Sequence, residues 1–278
     1  MTMPRPLVLL ASCLLMACTP RGIATTTTPQ LPSMQLFLLA GQSNMAGRGR
    51  VEAQDRVPHD RVRMLDRQLA WMPAIDPVHF DKPVAGVGPG RSFGLAVADA
   101  DSTAIIGLVP TAVGGSPITS WESGALDSAT HTHPYDDALI RARAAMRSGT
   151  LKAILWHQGE SDSREPAASL YEARLRALIE RFRSDLGAPD LPFIIGQLGR
   201  FDKGPWSAAK ERVDAAQRSV AAQMHNVAYV SSEGLTDRGD TTHFDAASAR
   251  ELGRRYAKAY ATLRASGSTH PLDLSPRR

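Results

Sequence analysis

The sequence predicts an α/β domain built around a parallel sheet. Four short apolar runs are continuous rather than alternating, as in strands that are covered by helices on both faces of a sheet. With one shorter run they make five candidate strands, which are Gln35–Ala40, Ala104–Pro110, Leu151–His157, Pro192–Leu198 and Val227–Ser231. Segments with the 3.6-residue period of amphipathic helices lie between and after these runs. Strands that alternate with helices favour parallel pairing with right-handed crossovers, so we expect a five-stranded, mainly parallel sheet.

Length and composition agree with a globular domain of this class. The chain has 278 residues, of which 43% are hydrophobic, and this is enough to bury a large core. Its net charge is +4, but the basic residues alternate with acidic ones along the most regular helical stretch, between Glu172 and Asp185. Interleaved charges are typical of solvated helix faces and not of a phosphate-binding stripe, so we expect no nucleic-acid partner.

The first residues of the chain have the pattern of an export signal. Arg5 precedes an apolar run from Leu7 to Met16, and Ala17-Cys18 follows. The run is too short to cross a bilayer as a helix. The string "LLMAC" resembles the lipobox of bacterial lipoproteins, which implies cleavage before Cys18 and a lipid on its thiol. We therefore assign residues 1–18 to a signal peptide and expect a periplasmic or outer-membrane-anchored lipoprotein, with simple secretion as the alternative.

The segments on both sides of the predicted domain differ from it in composition. Residues 19–33 are rich in Thr and Pro, and residues 265–278 carry few apolar side chains, so neither segment can bury enough surface to order itself. We expect a disordered tether, a folded domain over residues 34–264 and a disordered tail. The two cysteines, Cys13 and Cys18, both precede the domain. A disulfide or a catalytic cysteine inside the domain is thereby excluded.

Polar residues and glycines follow four of the predicted strands. In sheets of this kind, ligands bind beyond the carboxyl ends of the strands, so we expect the four loops to meet on one face. In chain order they supply the following residues: Ser43, Gly114, Gly115, Gln158, Glu160, Asp240 and His243. A serine, a histidine, carboxylates and hydrogen-bond donors are together the parts of an acyl-transfer site.

Each of these residue types has a task in ester hydrolysis. A histidine can remove the proton of a serine hydroxyl, and a carboxylate can hold the imidazole in the required tautomer. Asp240 and His243 are three residues apart, so one turn can place both on the same side. The N–H of Ser43, a glycine N–H and the amide of Gln158 are candidate donors to an oxyanion. Each signal is weak alone, and the prediction depends on their joint placement at strand ends.

Four motifs together resemble those of the SGNH-type esterases. More narrowly, they are similar to the branch of sialate O-acetylesterases and carbohydrate esterase family 6, the acetyl xylan esterases. The motifs are "GQSNM", the Gly-Gly loop, "WHQGESD" and "DTTH". The resemblance covers residues Met34 to Leu263 and implies a flavodoxin-like, three-layer α/β/α sandwich, the SGNH hydrolase fold. It also implies hydrolysis of O-acetyl groups on carbohydrates without a metal or another cofactor.

The resemblance also implies roles for single residues. By position, Ser43 is the nucleophile and His243 the base. The oxyanion hole would consist of the N–H groups of Ser43 and Gly115 with the amide of Gln158, and Gly114 remains the alternative to Gly115.

The carboxylate that orients the base has two candidates. By motif it is Asp240, and Glu160 is the possible alternative, since it lies next to the predicted oxyanion loop. One of them can hold His243 while the other braces a loop, and the sequence does not decide between them.

The sequence offers two further interpretations. His131 and His133 invite a zinc interpretation, but the predicted domain contains no cysteine and no obvious third ligand, so we expect a surface loop and no metal. The alternative to an enzyme is a catalytically silent carbohydrate-binding lipoprotein on the same fold. A binding protein needs no complete set of serine, histidine, carboxylate and donors, so this sequence favours the enzyme.

Overall fold

The structure is a computed structural model that describes residues 33–267. The predicted signal peptide, the predicted tether except for its last residue, and most of the predicted tail lie outside the described residues. Residues 265–267 belong to the last helix, so the folded part continues slightly beyond the predicted boundary at residue 264.

A seven-stranded sheet forms the middle layer of the part of the chain that the structure describes. Its order from edge to edge is β3-β2-β4-β1-β5-β6-β7, and all neighbours are parallel except the antiparallel pair β2 and β3. The strands are β1 (Met34–Gly41), β2 (Val62–Leu65), β3 (Trp71–Pro73), β4 (Ile106–Pro110), β5 (Gly149–His157), β6 (Phe193–Gly196) and β7 (Val227–Val230). The mainly parallel sheet is thus confirmed.

The predicted number of five strands is wrong, because β2 and β3 add two strands at one edge. Neither is a continuous apolar run: β2 reads "VRML" and β3 reads "WMP". Arg63 in β2 pairs in register with Pro73 at the end of β3. Such short strands with polar residues and proline are characteristic of sheet edges, and a search for buried apolar runs does not detect them.

Helices cover both faces of the sheet, which gives the three-layer arrangement. The buried side chains of α2 and α6 pack on one face, and those of α3, α4 and α5 pack on the other. The helices are α1 (Ser43–Ala46), α2 (Pro89–Ala100), α3 (Pro134–Met146), α4 (Ala167–Asp185), α5 (Ala208–Gln223) and α6 (Ala246–Gly267). Within residues 33–267, no helix combines the length and apolarity that crossing a membrane requires.

The three central strands bring the first three predicted loops together. β1 lies between β4 and β5, and Gly41 at its end is in register with His157 at the end of β5. The Val113 N–H donates to the Gly41 carbonyl, and the Gln42 N–H donates to the His157 carbonyl. Gly41 has a φ of +127°, and a Cβ there would lie 2.1 Å from the carbonyl oxygen of His157. Only glycine therefore permits the sharp turn from β1 into α1.

Candidate active site

Ser43 lies directly beyond the end of β1, as the first residue of the single-turn helix α1. Its side chain is largely buried, and its Oγ lies 2.9 Å from Nε2 of His243, which is 200 residues further along the chain. This is hydrogen-bonding distance. The structure therefore brings the predicted nucleophile and the predicted base together.

His243 belongs to the loop between β7 and α6, and its other ring nitrogen faces Asp240. Nδ1 of His243 lies 2.8 Å from Oδ2 of Asp240. A carboxylate can only accept, so Nδ1 carries the proton and Nε2 is the acceptor that faces the hydroxyl of Ser43. This tautomer is the one that a general base requires.

The loop itself fixes the carboxylate of Asp240. Oδ1 accepts hydrogen bonds from the backbone N–H groups of Thr242 (3.0 Å) and His243 (2.8 Å). Burial raises the pKa of Asp240, but the donors from His243 and Thr242 outweigh it, and the net pKa lies below the ordinary value. Asp240 is therefore a carboxylate at neutral pH and can stabilise a protonated imidazole.

Glu160, the alternative acid, points elsewhere. Its Oε1 accepts a hydrogen bond of 2.6 Å from Nδ2 of Asn44 and lies 3.7 Å from Nε2 of His157. No contact of Glu160 with His243 occurs among the described residues. Of the two candidates, the structure brings Asp240 and not Glu160 to the imidazole.

Among the predicted oxyanion donors, the N–H groups of Ser43 and Gly115 have no acceptor within residues 33–267. The Ser43 N–H begins a helix and so has no acceptor within it. The Gly114 N–H donates to Oδ2 of Asp81 at 2.9 Å, whereas within residues 33–267 the Gly115 N–H has no acceptor. Gly115 is exposed and has a φ of +87°, which glycine tolerates well. The geometry therefore leaves Gly115 as the available donor of the pair.

Gln158 does not occupy the predicted position of an oxyanion donor. Its side chain is fully buried, and its Nε2 donates to the carbonyl of Ser116 (3.1 Å) and to Oδ2 of Asp162 (2.6 Å). Its Oε1 accepts from the hydroxyl of Tyr171 at 3.0 Å. Both N–H groups of the amide are thus engaged inside the protein. Gln158 is therefore not available as the expected third donor, and its hydrogen bonds hold the surrounding loops.

Within residues 33–267, no cluster of three or more His, Cys, Asp or Glu side chains has the geometry of a metal site. His133, one of the two histidines considered for zinc, has its Nδ1 3.0 Å from the carbonyl of Ala125.

Two residues at the site were missed by sequence reasoning. Asn44 follows the serine in "GQSNM" and bonds to both neighbours of His243, through the Thr242 carbonyl and the Phe244 N–H. Asp81 holds the Gly114 N–H and forms a buried ion pair of 2.8 Å with Arg48. The position of Asn44 beside the nucleophile was a usable signal, whereas the loop around Asp81 carries no motif.

Comparison with known proteins adds a family to this geometry. The family model described as "Carbohydrate esterase, sialic acid-specific acetylesterase" matches residues 33–262. A protein of Arabidopsis thaliana described as a "Probable carbohydrate esterase" is 34% identical over 251 residues, covering 83% of this chain and 91% of that protein. The crystal structure of the Arabidopsis protein aligns with a TM-score of 0.73 at 33% identity, over 83% of this chain and 99% of that one.

More distant structures share the fold. NanS aligns with a TM-score of 0.69 at 19% identity, over 84% of this chain and 98% of that one. A carbohydrate acetylesterase from Xanthomonas citri aligns with a TM-score of 0.61 at 20% identity, over 84% of this chain and 57% of that one.

Proposed function

The chain belongs to the family of carbohydrate esterases that is described as sialic acid-specific acetylesterases, and from this premise we propose that it hydrolyses O-acetyl esters of carbohydrates with Ser43 as the nucleophile. The observation that carries the proposal is one continuous line of hydrogen bonds. It runs from Ser43 Oγ to His243 Nε2 (2.9 Å) and from His243 Nδ1 to Asp240 Oδ2 (2.8 Å).

The proposed reaction has two steps, and the first forms an acetyl-enzyme. Ser43 Oγ attacks the carbonyl carbon of the acetyl group while His243 Nε2 takes the hydroxyl proton. The N–H groups of Ser43 and Gly115 donate to the oxyanion of the tetrahedral intermediate, and Asp240 stabilises the charged imidazole. The bond to the sugar oxygen then breaks, and His243 returns its proton to that oxygen.

In the second step, water takes the place of the sugar hydroxyl. His243 accepts a proton from the water as it attacks the carbonyl carbon of acetyl-Ser43. Collapse of the second tetrahedral intermediate breaks the bond to Ser43 Oγ, which regains its proton from His243, and acetic acid leaves and loses its proton to water.

Replacement of the nucleophile tests this proposal. Ser43→Ala should lower kcat/KM for an aryl acetate by about 10⁵-fold or more, because the covalent step is lost. A fluorescent phosphonate should label the wild type and not this variant. Ser102→Ala, at an exposed serine in the loop before β4, is the matched control and should behave as the wild type. Wild-type turnover by Ser43→Ala would contradict the proposal. A wild-type protein that binds acetylated sugars, but neither hydrolyses the ester nor reacts with the phosphonate, would favour the catalytically silent binding protein.

A pocket whose lining includes Arg238, a neighbour of Asp240, supports an acidic sugar as the substrate. It has a volume of about 460 Å³, and three arginines, Arg48, Arg50 and Arg238, are among its lining residues while no acidic side chain is. Arg48 is neutralised by Asp81, and Nε of Arg238 lies 3.7 Å from Oδ2 of Asp240. Arg50 is exposed and forms no ion pair with a described residue. An Arg50 guanidinium that is free to bind favours a carboxylate on the sugar over a neutral xylan chain.

An acetate-release screen separates these substrate classes. The wild type should prefer acetyl esters of a sugar acid, such as sialic acid, over acetylated xylo-oligosaccharides. Arg50→Gln should reduce kcat/KM for the acidic substrate by about tenfold and leave the neutral one unchanged, since a hydrogen bond between charged groups is lost. An equal preference in the wild type would remove the acidic substrate from the proposal and leave the acetylesterase in place.

We also propose that the protein is exported and carries lipid on Cys18. This residue lies outside the described residues. Cys18→Ser should abolish incorporation of labelled palmitate and release the protein from the membrane fraction. An unlabelled wild type found in the medium would instead indicate a simple secretory signal.

A further inference from the structure

Asn44 connects three separate segments of the chain at the site. Its Nδ2 donates to Oε1 of Glu160 (2.6 Å) and to the carbonyl oxygen of Thr242 (3.0 Å). Its Oδ1 accepts from the N–H of Phe244 at 3.1 Å. Asn44 itself belongs to the same turn of helix as Ser43, and it is almost completely buried. One amide therefore joins α1, the loop after β5 and the loop that carries the predicted base.

These partners allow only one orientation of the amide. The carboxylate of Glu160 and the carbonyl of Thr242 can only accept, so they face the NH₂ group, and the N–H of Phe244 can only donate, so it faces the oxygen. Both N–H groups and the oxygen of the side chain thus have a matching partner. An aspartate of the same shape would place an oxygen against two acceptors.

The bonds of Asn44 bracket His243 on both sides in sequence. Thr242 and Phe244 are its two neighbours, so fixing their backbone fixes the point from which the imidazole extends. The bond from Asp240 cannot do this, because Asp240 and His243 belong to the same loop and would move together. Arg238 of the same loop also donates a hydrogen bond to the carbonyl of Arg48, which follows α1, but the Arg238 side chain is 42% exposed. The buried side chain that joins α1 to the backbone on both sides of His243 is therefore that of Asn44.

Glu160 holds Asn44 in this position. Its side chain is 9% exposed, and the bond to Asn44 is charge-assisted, which makes it stronger than a bond between neutral groups. Oε2 of Glu160 has no partner among the described residues, so Asn44 supplies the main hydrogen bond to a nearly buried carboxylate. This gives the carboxylate that does not reach His243 an indirect task.

We propose that Asn44 is a positioning residue, held by Glu160, that sets the distance between the hydroxyl of Ser43 and the imidazole of His243. This inference rests on the proposed function, since it assigns the residue that aligns the two reacting groups. The side chain of Asn44 bonds to Glu160, Thr242 and Phe244 and not to the hydroxyl of Ser43 or the imidazole of His243. Its effect therefore falls on the rate of the chemical steps and not on the binding of the sugar.

The isosteric variant Asn44→Asp tests the inference most directly. It should lower kcat by about 100-fold, the cost of misplacing reacting groups by about 1 Å. KM should stay within about threefold, because substrate binding is unaffected. The rate constant for labelling of Ser43 by a phosphonate should fall in parallel. Asn226→Asp makes the same chemical change at the only other asparagine, before β7 and away from the site, and should leave kcat unchanged.

Substitutions of Glu160 test the second half of the inference. Glu160→Gln retains an oxygen that accepts from Asn44 and should keep kcat within about fivefold, whereas Glu160→Ala should lower it by about 30-fold. In the double variant Asn44→Asp/Glu160→Gln, the NH₂ group introduced at position 160 can donate to the carboxylate introduced at position 44. This variant should recover about tenfold in kcat over Asn44→Asp alone, since one of the two lost bonds returns.

Several outcomes would overturn the inference. One is a folded Asn44→Asp enzyme with wild-type kcat, and another is a double variant no more active than Asn44→Asp. Circular dichroism and Tm establish folding, and if Asn44→Asp does not fold, Asn44→Ala is measured against the same expectations. Retained activity in Ser43→Ala would refute the proposed function itself. An inactive Ser43→Ala enzyme beside an unaffected Asn44→Asp enzyme would refute only the positioning role.

Discussion

Asp240 is a carboxylate whose side chain remains 40% exposed, yet three hydrogen bonds fix it in place. Its lowered pKa follows from these donors, which outweigh the effect of burial. The residue therefore stays ionised across the physiological pH range. Because water partly screens its charge, its contribution to stabilising the imidazolium should be smaller than that of a buried carboxylate.

Substitution of Asp240 distinguishes between the two candidate carboxylates. Asp240→Asn should lower kcat/KM for an aryl acetate by at least about 100-fold, because an amide NH₂ facing Nδ1 favours the wrong tautomer of His243. Asp99→Asn, at an exposed position of α2, is the control and should leave kcat/KM unchanged. The Glu160→Gln enzyme should have a much higher kcat/KM than the Asp240→Asn enzyme. The reverse order would make Glu160 the acid and contradict the assignment.

For single residues, the sequence predicts which residues lie near the site better than it predicts where their side chains point. The placement of Ser43, His243 and Asp240 together follows from their positions at strand ends. Gln158 stands at such an end too, but its amide turns inward because Asp162 and Ser116 offer it buried acceptors. Likewise, Gly115 and Gly114 are equivalent in sequence, and only the contact of Asp81 with Gly114 distinguishes them. Side-chain partners this far apart in the chain have no local signal.

Among the elements, the contact between α2 and α6 depends on one small residue. A Cβ at Gly253 of α6 would lie 2.1 Å from Oγ of Ser92 and 2.3 Å from the carbonyl oxygen of Pro89. Pro89 is part of the first turn of α2, so one of the obstructing atoms is backbone and cannot rotate away. α6 begins three residues after His243, and this contact therefore also supports the loop of the predicted base.

We predict that Gly253→Ala destabilises the protein although alanine is the better helix former. The helix propensity of alanine stabilises by about 1 kcal/mol. Forcing the two helices apart is expected to cost more, for a net loss of about 2 kcal/mol in the free energy of unfolding. In a domain of this size that loss lowers Tm by about 4–8 °C. Urea unfolding and calorimetry measure both values.

Thr262→Ala is the matched control for this prediction, because it lies on the exposed side of the same helix. It should leave Tm nearly unchanged. A Gly253→Ala protein as stable as the control would show that the helices separate without cost, and that the tight contact has no energetic significance.

The elements that the sequence predicts well are those with long periodic patterns. Tyr171, Leu175, Leu178 and Phe182 follow one another at the spacing of an amphipathic helix, and all four are buried in α4. The strands β2 and β3 were not predicted, because three or four residues are too few to show a period. Their place at the edge of the sheet is set by tertiary pairing with β4 and not by local propensity.

At the scale of the whole molecule, a buried ionic cluster joins distant parts of the chain. Arg250 of α6 binds both carboxylate oxygens of Asp55, which is 195 residues away in sequence. Arg91 of α2 donates to the carbonyls of Ala74 and Val57. Asp76 is buried beside this cluster, and its Oδ1 has no partner within the described part of the chain. The cluster lies outside the triad and should act on stability alone.

Asp76 should make the stability of the protein depend on pH. Burial, with the nearby charge of Asp55, raises the pKa of Asp76 to about 7, although Arg91 and Arg250 oppose the shift. Because this folded-state pKa exceeds the unfolded value of about 4, the folded state binds more protons between pH 4 and 7. Its stability therefore falls as the pH rises through that window.

The last prediction compares the wild type with Asp76→Asn, which is neutral at every pH. From pH 5 to pH 8, the free energy of unfolding of the wild type should fall by about 2–3 kcal/mol relative to that of Asp76→Asn. Urea denaturation at several pH values measures this difference, and Asp60→Asn, at an exposed aspartate, should follow the wild type. Since Asp76 is not part of the triad, kcat at pH 8 should be the same in both proteins. Parallel stability curves for the wild type and Asp76→Asn would mean that Asp76 is already ionised in the folded state at pH 5, and that the arginines of the cluster compensate fully for its burial.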